Sequence, residues 1–214
     1  MVLRQIQDLL GGIYDVDIAL DVYDYLVTDR RHLPACVRET STDEQLVVEQ
    51  RADDVAVSLY LDREVLARLA AENPLEALHG GNLADYWTAL EGVSHFLYST
   101  WRLDRDAPVS LLELETQAEV DKYALTVFLL AGQTGGAFPA QVHARLFDRV
   151  EFDSRLEPDQ YQRYRTAHRC AAHYCRRLER RYVSRGAART EAMVRELRRF
   201  YRLGRTAKLH CAQG

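Results

Sequence analysis

Apolar residues recur along this chain at two periods, and the switches between them divide it into helices around one hairpin. Val2, Ile6, Leu9 and Leu10 fall on one side of a short first helix that Gly11-Gly12 is expected to stop. From Ile13 to Asp29, Val16, Ile18, Leu20 and Val22 alternate with aspartates as in a half-buried strand. Val16, Leu20, Tyr23 and Val27 also keep helical spacing, and the strand is the preferred reading. Leu46 to Arg51 and Val55 to Leu61 are two β-rich runs around the polar turn Ala52-Asp53-Asp54. The second run sends Val55, Val57, Leu59 and Leu61 to one face, which the following helices must cover.

Asp62 caps a helix that Asn73-Pro74 ends. Asn82 caps the next, to about Arg102, with Leu83, Tyr86, Leu90, Val93 and Leu97 at helical spacing. Ser110 and Glu113 form a capping box, and Val109 and Leu114 a hydrophobic staple, so a second long helix begins there. The short connection makes the two antiparallel neighbours, with 91 opposite 121 and 95 opposite 117. Past Tyr123 the second helix is apolar nearly all round, as a central helix must be.

Phe138-Pro139 opens a helix to about Val150, and Glu151 to Asp159 is a polar connection. Tyr161, Tyr164, His168, Ala171, Cys175, Leu178 and Tyr182 then form one stripe of a long helix that Ser184-Arg185-Gly186 breaks. A last helix carries Val194, Leu197 and Tyr201. The fold class is therefore α+β: predominantly a helical bundle with a small antiparallel β-hairpin of two or three strands. Residues 1–157 form an acidic body, 158–203 a basic helical pair packed on it, and 204–214 a loose tail.

Charge changes this picture. Residues 160–208 hold 15 Lys and Arg against 3 Glu, while the rest holds 13 basic and 29 acidic groups, so the net charge of −4 is a near cancellation. Such asymmetry fits a basic arm for an anionic partner, or two halves that attract each other. Arg176, Arg177, Arg180, Arg181, Arg195, Arg198, Arg199 and Arg202 are the candidate partner-binding set, for an acidic protein surface or for self-association. With Arg163, Arg165 and Arg169, and with Tyr161, Tyr164, Tyr174, Tyr182 and Tyr201 between them, they also combine phosphate-binding forks with rings able to stack on nucleic acid. Arginine outnumbers lysine 26 to 2 throughout the chain, so its abundance here is partly a compositional habit.

The central helix pair carries the candidate catalytic set. Glu91 and His95 share one helix face, and Glu115, Glu119 and Lys122 share another. All five meet if the helices pair as expected. Carboxylates and an imidazole inside a bundle are the material of metal centres and of general acid and base pairs. The same groups also suit an ion-pair network joining two helices. Cys170 and His173, with His210 and Cys211, could hold zinc, although His168 and Cys175 belong to the core stripe. Asp15, Asp17, Asp21 and Asp24 are a weaker cation candidate that more simply faces water.

The composition, 47% apolar and 28% charged, is that of a folded domain rather than a disordered chain. No P-loop, GxGxxG, HExxH, GxSxG or CxxC occurs, so no cofactor is named. The most apolar stretch, Tyr123 to Ala131, is far short of the roughly 20 residues that cross a bilayer. The first residues lack the pattern of a secretory signal, and four cysteines fit reduced thiols, so a cytoplasmic location is expected. Three functions follow. The leading one is a non-enzymatic binding or regulatory protein using its arginine-rich helices, and the rivals are a small metal-dependent hydrolytic enzyme at the Glu/His/Lys site and a nucleic-acid binder.

Overall fold

Ser110 starts the helix around which the rest is arranged. Its Oγ accepts the Glu113 N–H at 3.3 Å while Glu113 Oε2 accepts the Ser110 N–H at 3.0 Å, the reciprocal box read from the sequence. A computed structural model describes residues 1–38, 42–50, 55–136, 141–148, 157–185 and 190–213. Its elements in chain order are α1 (Val2–Tyr14), β1 (Leu26–Val27), β2 (Glu44–Gln50), β3 (Val55–Leu61), α2 (Arg63–Ala71), α3 (Leu83–Leu103), α4 (Leu111–Gln133), α5 (Val142–Phe147), α6 (Pro158–Arg181), α7 (Thr190–Tyr201) and α8 (Arg205–Gln213). The class is α+β and mostly helical, as expected.

Helix α4 packs between α3 and α6, with α1 and α5 on further sides, which is why Val120, Tyr123, Ala124, Leu125 and Val127 are all buried. The antiparallel pairing of α3 and α4 is fixed by Trp87 Nε1 donating to Thr126 Oγ1 at 3.0 Å and Lys122 Nζ donating to Glu91 at 2.8 Å. The sheet has the order β1-β3-β2. β2 and β3 pair antiparallel from Glu44 opposite Leu61 to Gln50 opposite Val55, and β1 adds in parallel with Leu26 opposite Leu59. Leu59 and Leu61 enter the main core, while Tyr60 and Val47 pack with Leu33 on the other face. The hairpin turn, the Phe138-Pro139 helix start, most of the connection before α6 and Gly186 lie outside the described residues.

Four expectations are corrected. Gly11-Gly12 does not stop α1, which runs on to Tyr14 and ends at Asp15 in the left-handed conformation, φ 55°. Tyr14 is fully buried and its ring stacks on Tyr201 at 4.1 Å, a gain that outweighs the roughly 1 kcal/mol helix penalty of each glycine. Residues 13–29 are not a long strand. Asp21 accepts the Tyr23 N–H and starts a 3₁₀ turn over Val22–Tyr25, leaving only Leu26–Val27 to pair, because a local side-chain bond competes with the ladder. Asn82 stands at the α3 N-cap, but its amide is spent on the preceding loop, accepting from His79 N–H and donating to Ala77 O. Residues 205–213 form helix α8 instead of a loose tail, held by a fully buried Lys208. Among the described residues no helix is long and apolar enough to cross a membrane.

Candidate functional site

Two facing helices supply most of the charged groups of one cluster. Glu91 and His95 lie about one turn apart on α3, and Glu115, Glu119 and Lys122 follow one another along α4. The structure brings these five together and adds three that sequence reasoning did not place here: Glu44 at the start of β2, and Arg163 and His168 on α6. Lys122 Nζ donates to Glu91 Oε2 at 2.8 Å and to Glu119 Oε1 at 2.9 Å. His95 stands between two carboxylates. Its Nδ1 lies 3.3 Å from Glu44 Oε1, while Nε2 lies 3.6 Å from Glu115 Oε2, longer than a hydrogen bond. Arg163 Nε and His168 Nδ1 come within 3.9 Å of Glu115 and Glu119 respectively.

Gly92 is what lets Glu44 in. A Cβ at that position would sit 2.9 Å from Glu44 Cγ and 3.0 Å from Leu59 Cδ1, so glycine leaves the room that the Glu44 side chain occupies. It is also the one local sign in the sequence that something packs on this helix face.

Burial and charge set the protonation states. Burial disfavours an imidazolium, but Glu44 and Glu115 outweigh it and hold the His95 pKa well above its ordinary value. Burial raises the Glu44 pKa against the pull of His95. Burial would raise Glu91 too, but Lys122 and His95 hold it low. Lys122 overcomes its own burial through Glu119 and Glu91 and stays charged.

In this cluster His95 Nε2, Glu119 Oε2 and Arg163 Nε are buried without a hydrogen-bond partner. The His95 side chain is only 9% exposed, whereas Glu91 at 28% and Arg163 at 22% leave the cluster open to solvent on their side. Glu91, His95 and Glu115 each offer one ligand atom within 4.8 Å of one another, the one such group of His, Cys, Asp and Glu among the described residues. Carboxylate oxygens with one imidazole suit Zn²⁺, Mn²⁺, Fe²⁺ or Co²⁺. Glu44 stands behind His95 Nδ1, where a carboxylate orients a metal-bound imidazole.

A second polar network lies buried between the same two helices. Asp121 accepts from Tyr14 Oη, from Ser94 Oγ at 2.5 Å and from Gln117 Nε2 at 2.7 Å. Lys208, from α8, donates to Tyr98 Oη at 2.9 Å and Gln117 Oε1 at 2.7 Å, with its ammonium 4.1 Å from the centre of the Tyr98 ring and 5.0 Å from that of Phe200. Burial lifts the Asp121 carboxyl to about 6 and pulls Lys208 down to about 7.

The arginine set is largely engaged within the chain. Arg176 pairs with Glu179 and Arg199 with Glu196, both at 2.9 Å, and Arg195 comes within 3.8 Å of Glu191. Arg198 donates to the carbonyls of Gly12 and Ile13, and Arg202 to that of Asp15. Arg177 and Arg181 lie over Tyr174 and Tyr182, and Arg180 is exposed. Three of the rings expected to stack on bases are buried: Tyr174, which stacks on Phe200, Tyr182 and Tyr201. They face inward because α6 and α7 pack through them.

The zinc set does not assemble among the described residues. Cys170 is buried and its neighbour His173 exposed, and the Cys211 side chain lies outside the description. Of the four aspartates, Asp21 caps its turn and pairs with Arg4 at 2.8 Å. An apolar groove of about 660 Å³ lined by Leu9, Ile13, Leu125, Phe128 and Val194 shares no residue with the cluster. No protein-family model matches this sequence, and no curated protein and no solved structure matches it either.

Proposed function

We propose that this chain is a divalent-metal-dependent hydrolase of the cytosol, with Glu91, His95 and Glu115 as the metal ligands. Glu44 orients His95, Glu119 is the general base, and Lys122 fixes the carboxylates on either side of it. The observation that carries this reading is His95 Nε2, a buried nitrogen with no hydrogen-bond partner, placed among carboxylates that offer ligand atoms. A cation there would satisfy it.

Hydrolysis is favoured over simple storage of an ion by Glu119. Its Oε2 is buried without a hydrogen-bond partner, one turn along α4 from Glu115. In that role it takes the proton of a water whose oxygen bonds to the electrophilic centre, while the bond to the leaving group breaks and the leaving atom takes up a proton. Docking of an acidic partner by Arg176, Arg177, Arg180, Arg181, Arg195, Arg198, Arg199 and Arg202 ranks below this, because most of these guanidinium groups already meet glutamates, carbonyls or rings of the same chain. Nucleic-acid stacking ranks lower still, with three of its five rings buried.

The test is a Co²⁺ titration of chelator-treated protein. One cobalt per chain with visible d–d absorption is expected, lost in His95→Ala and Glu115→Gln variants of unchanged circular dichroism, with hydrolysis of a chromogenic ester panel following cobalt occupancy. Cobalt binding no tighter in the native sequence than in His95→Ala overturns the reading.

A further inference from the structure

Arg163 reaches the cluster from α6, the neighbour of α4 opposite α3. Its Nε lies 3.9 Å from Glu115 Oε1 and makes no hydrogen bond, and the side chain stays partly open to solvent. The guanidinium carbon lies 5.2 Å from the centre of the Tyr164 ring.

The charges decide what this fork is for. Glu44, Glu91, Glu115 and Glu119 contribute four negative charges, and Lys122 and Arg163 two positive ones. A divalent cation bound with neutral His95 brings the sum to zero, so an anion meets no net repulsion at the loaded centre. Lys122 is already consumed by two carboxylates, whereas Arg163 Nε has no hydrogen-bond partner and the side chain is partly open to solvent. A neutral ester or amide gives such a fork no charge to bind.

We propose that the group acted on here is a phosphoryl anion, held between the cation and Arg163. This rests on the metal reading above. In the reaction a water oxygen bonds to phosphorus as its proton passes to Glu119. The bond from phosphorus to the leaving oxygen breaks with its electron pair, and that oxygen takes a proton from solvent, giving an alcohol and phosphate.

Cobalt-loaded protein provides the test. Inorganic phosphate should perturb the cobalt absorption with a saturable half-point. Arg163→Met should raise that half-point about tenfold or more, with cobalt affinity within about twofold of the native sequence, and Arg163→Lys, which keeps the charge without the fork, should fall between. Among substrates, p-nitrophenyl phosphate and bis(p-nitrophenyl) phosphate separate monoester from diester, and turnover of either should need Arg163, while p-nitrophenyl acetate should not. If Arg163 only balances Glu115, the Met variant will change cobalt affinity and leave the phosphate half-point unmoved, which overturns the proposal while the metal reading stands. Absence of cobalt binding in the native sequence overturns both.

Discussion

Two polar networks straddle the same pair of helices, and they are finished to different degrees. In the sealed one, Ser94, Gln117, Asp121 and Lys208 leave no buried side-chain atom without a partner, although Lys208 is fully enclosed. In the open one, His95, Glu119 and Arg163 each keep a buried polar atom unpaired while Glu91 reaches solvent. A cation or other polar ligand would complete the open network, whereas the sealed one has no such group left to satisfy. The lysines sharpen the contrast. A chain with 26 arginines has lysine only at positions 122 and 208, one in each network and both buried. A compact ammonium needs less room in an enclosed site than a planar guanidinium.

The largest predicted effect separates the two networks by stability. Asp121→Ala strands three donors, on Tyr14, Ser94 and Gln117, each costing about 1–3 kcal/mol, so urea denaturation should show a loss of about 3 kcal/mol or more. His95→Gln, which keeps a donor toward Glu44, should cost about 1 kcal/mol or less. Equal losses would make the open cluster a structural ion-pair network like its neighbour. Adding cobalt at about 100 times its dissociation constant should then stabilise the native chain by about 2.7 kcal/mol and leave His95→Gln unmoved.

The sealed network also predicts a pH dependence. Between its ordinary 3.8 and the buried value of about 6, Asp121 holds a proton in the folded chain that the unfolded chain has lost, so stability falls as pH rises. Between about 7 and the ordinary 10.5, Lys208 is neutral when folded and protonated when unfolded, so stability rises with pH. The minimum lies between these two arms, and the alkaline arm should add about 2 kcal/mol over two pH units. Urea midpoints across that range test it. Lys208→Met, which fills the cage with an apolar chain of similar length, should abolish the alkaline rise.

What could be read beforehand was local or set by a short connection. The Ser110 box lies within four residues, and the turn before α4 fixes which faces of α3 and α4 meet, so the five central groups were found together. Glu44 was missed because it joins His95 across 51 residues, through a sheet whose distance from α3 no periodicity encodes. Arg163 is indistinguishable in sequence from the other arginines of the basic third, since net charge has no direction. Helix α8 was invisible because its anchor is a lysine, and the pattern that marks a buried helix counts lysine as an outward residue.

Gly92 gives the smallest and most specific prediction, because it touches the open network without removing any charged group. In Gly92→Ala the added methyl meets Glu44 Cγ at 2.9 Å and Leu59 Cδ1 at 3.0 Å, and these side chains must shift. Overpacking of this kind costs about 1–2 kcal/mol, partly offset by the better helix propensity of alanine. Displacing the carboxylate behind a metal-bound imidazole costs about tenfold or more in metal affinity. Cobalt binding should therefore weaken further than the stability loss explains, and Glu44→Gln, which introduces no clash, should weaken it comparably. If Gly92→Ala lowers stability while Glu44→Gln leaves cobalt affinity intact, Glu44 is a packing neighbour of His95, and the open cluster ends at its three ligands.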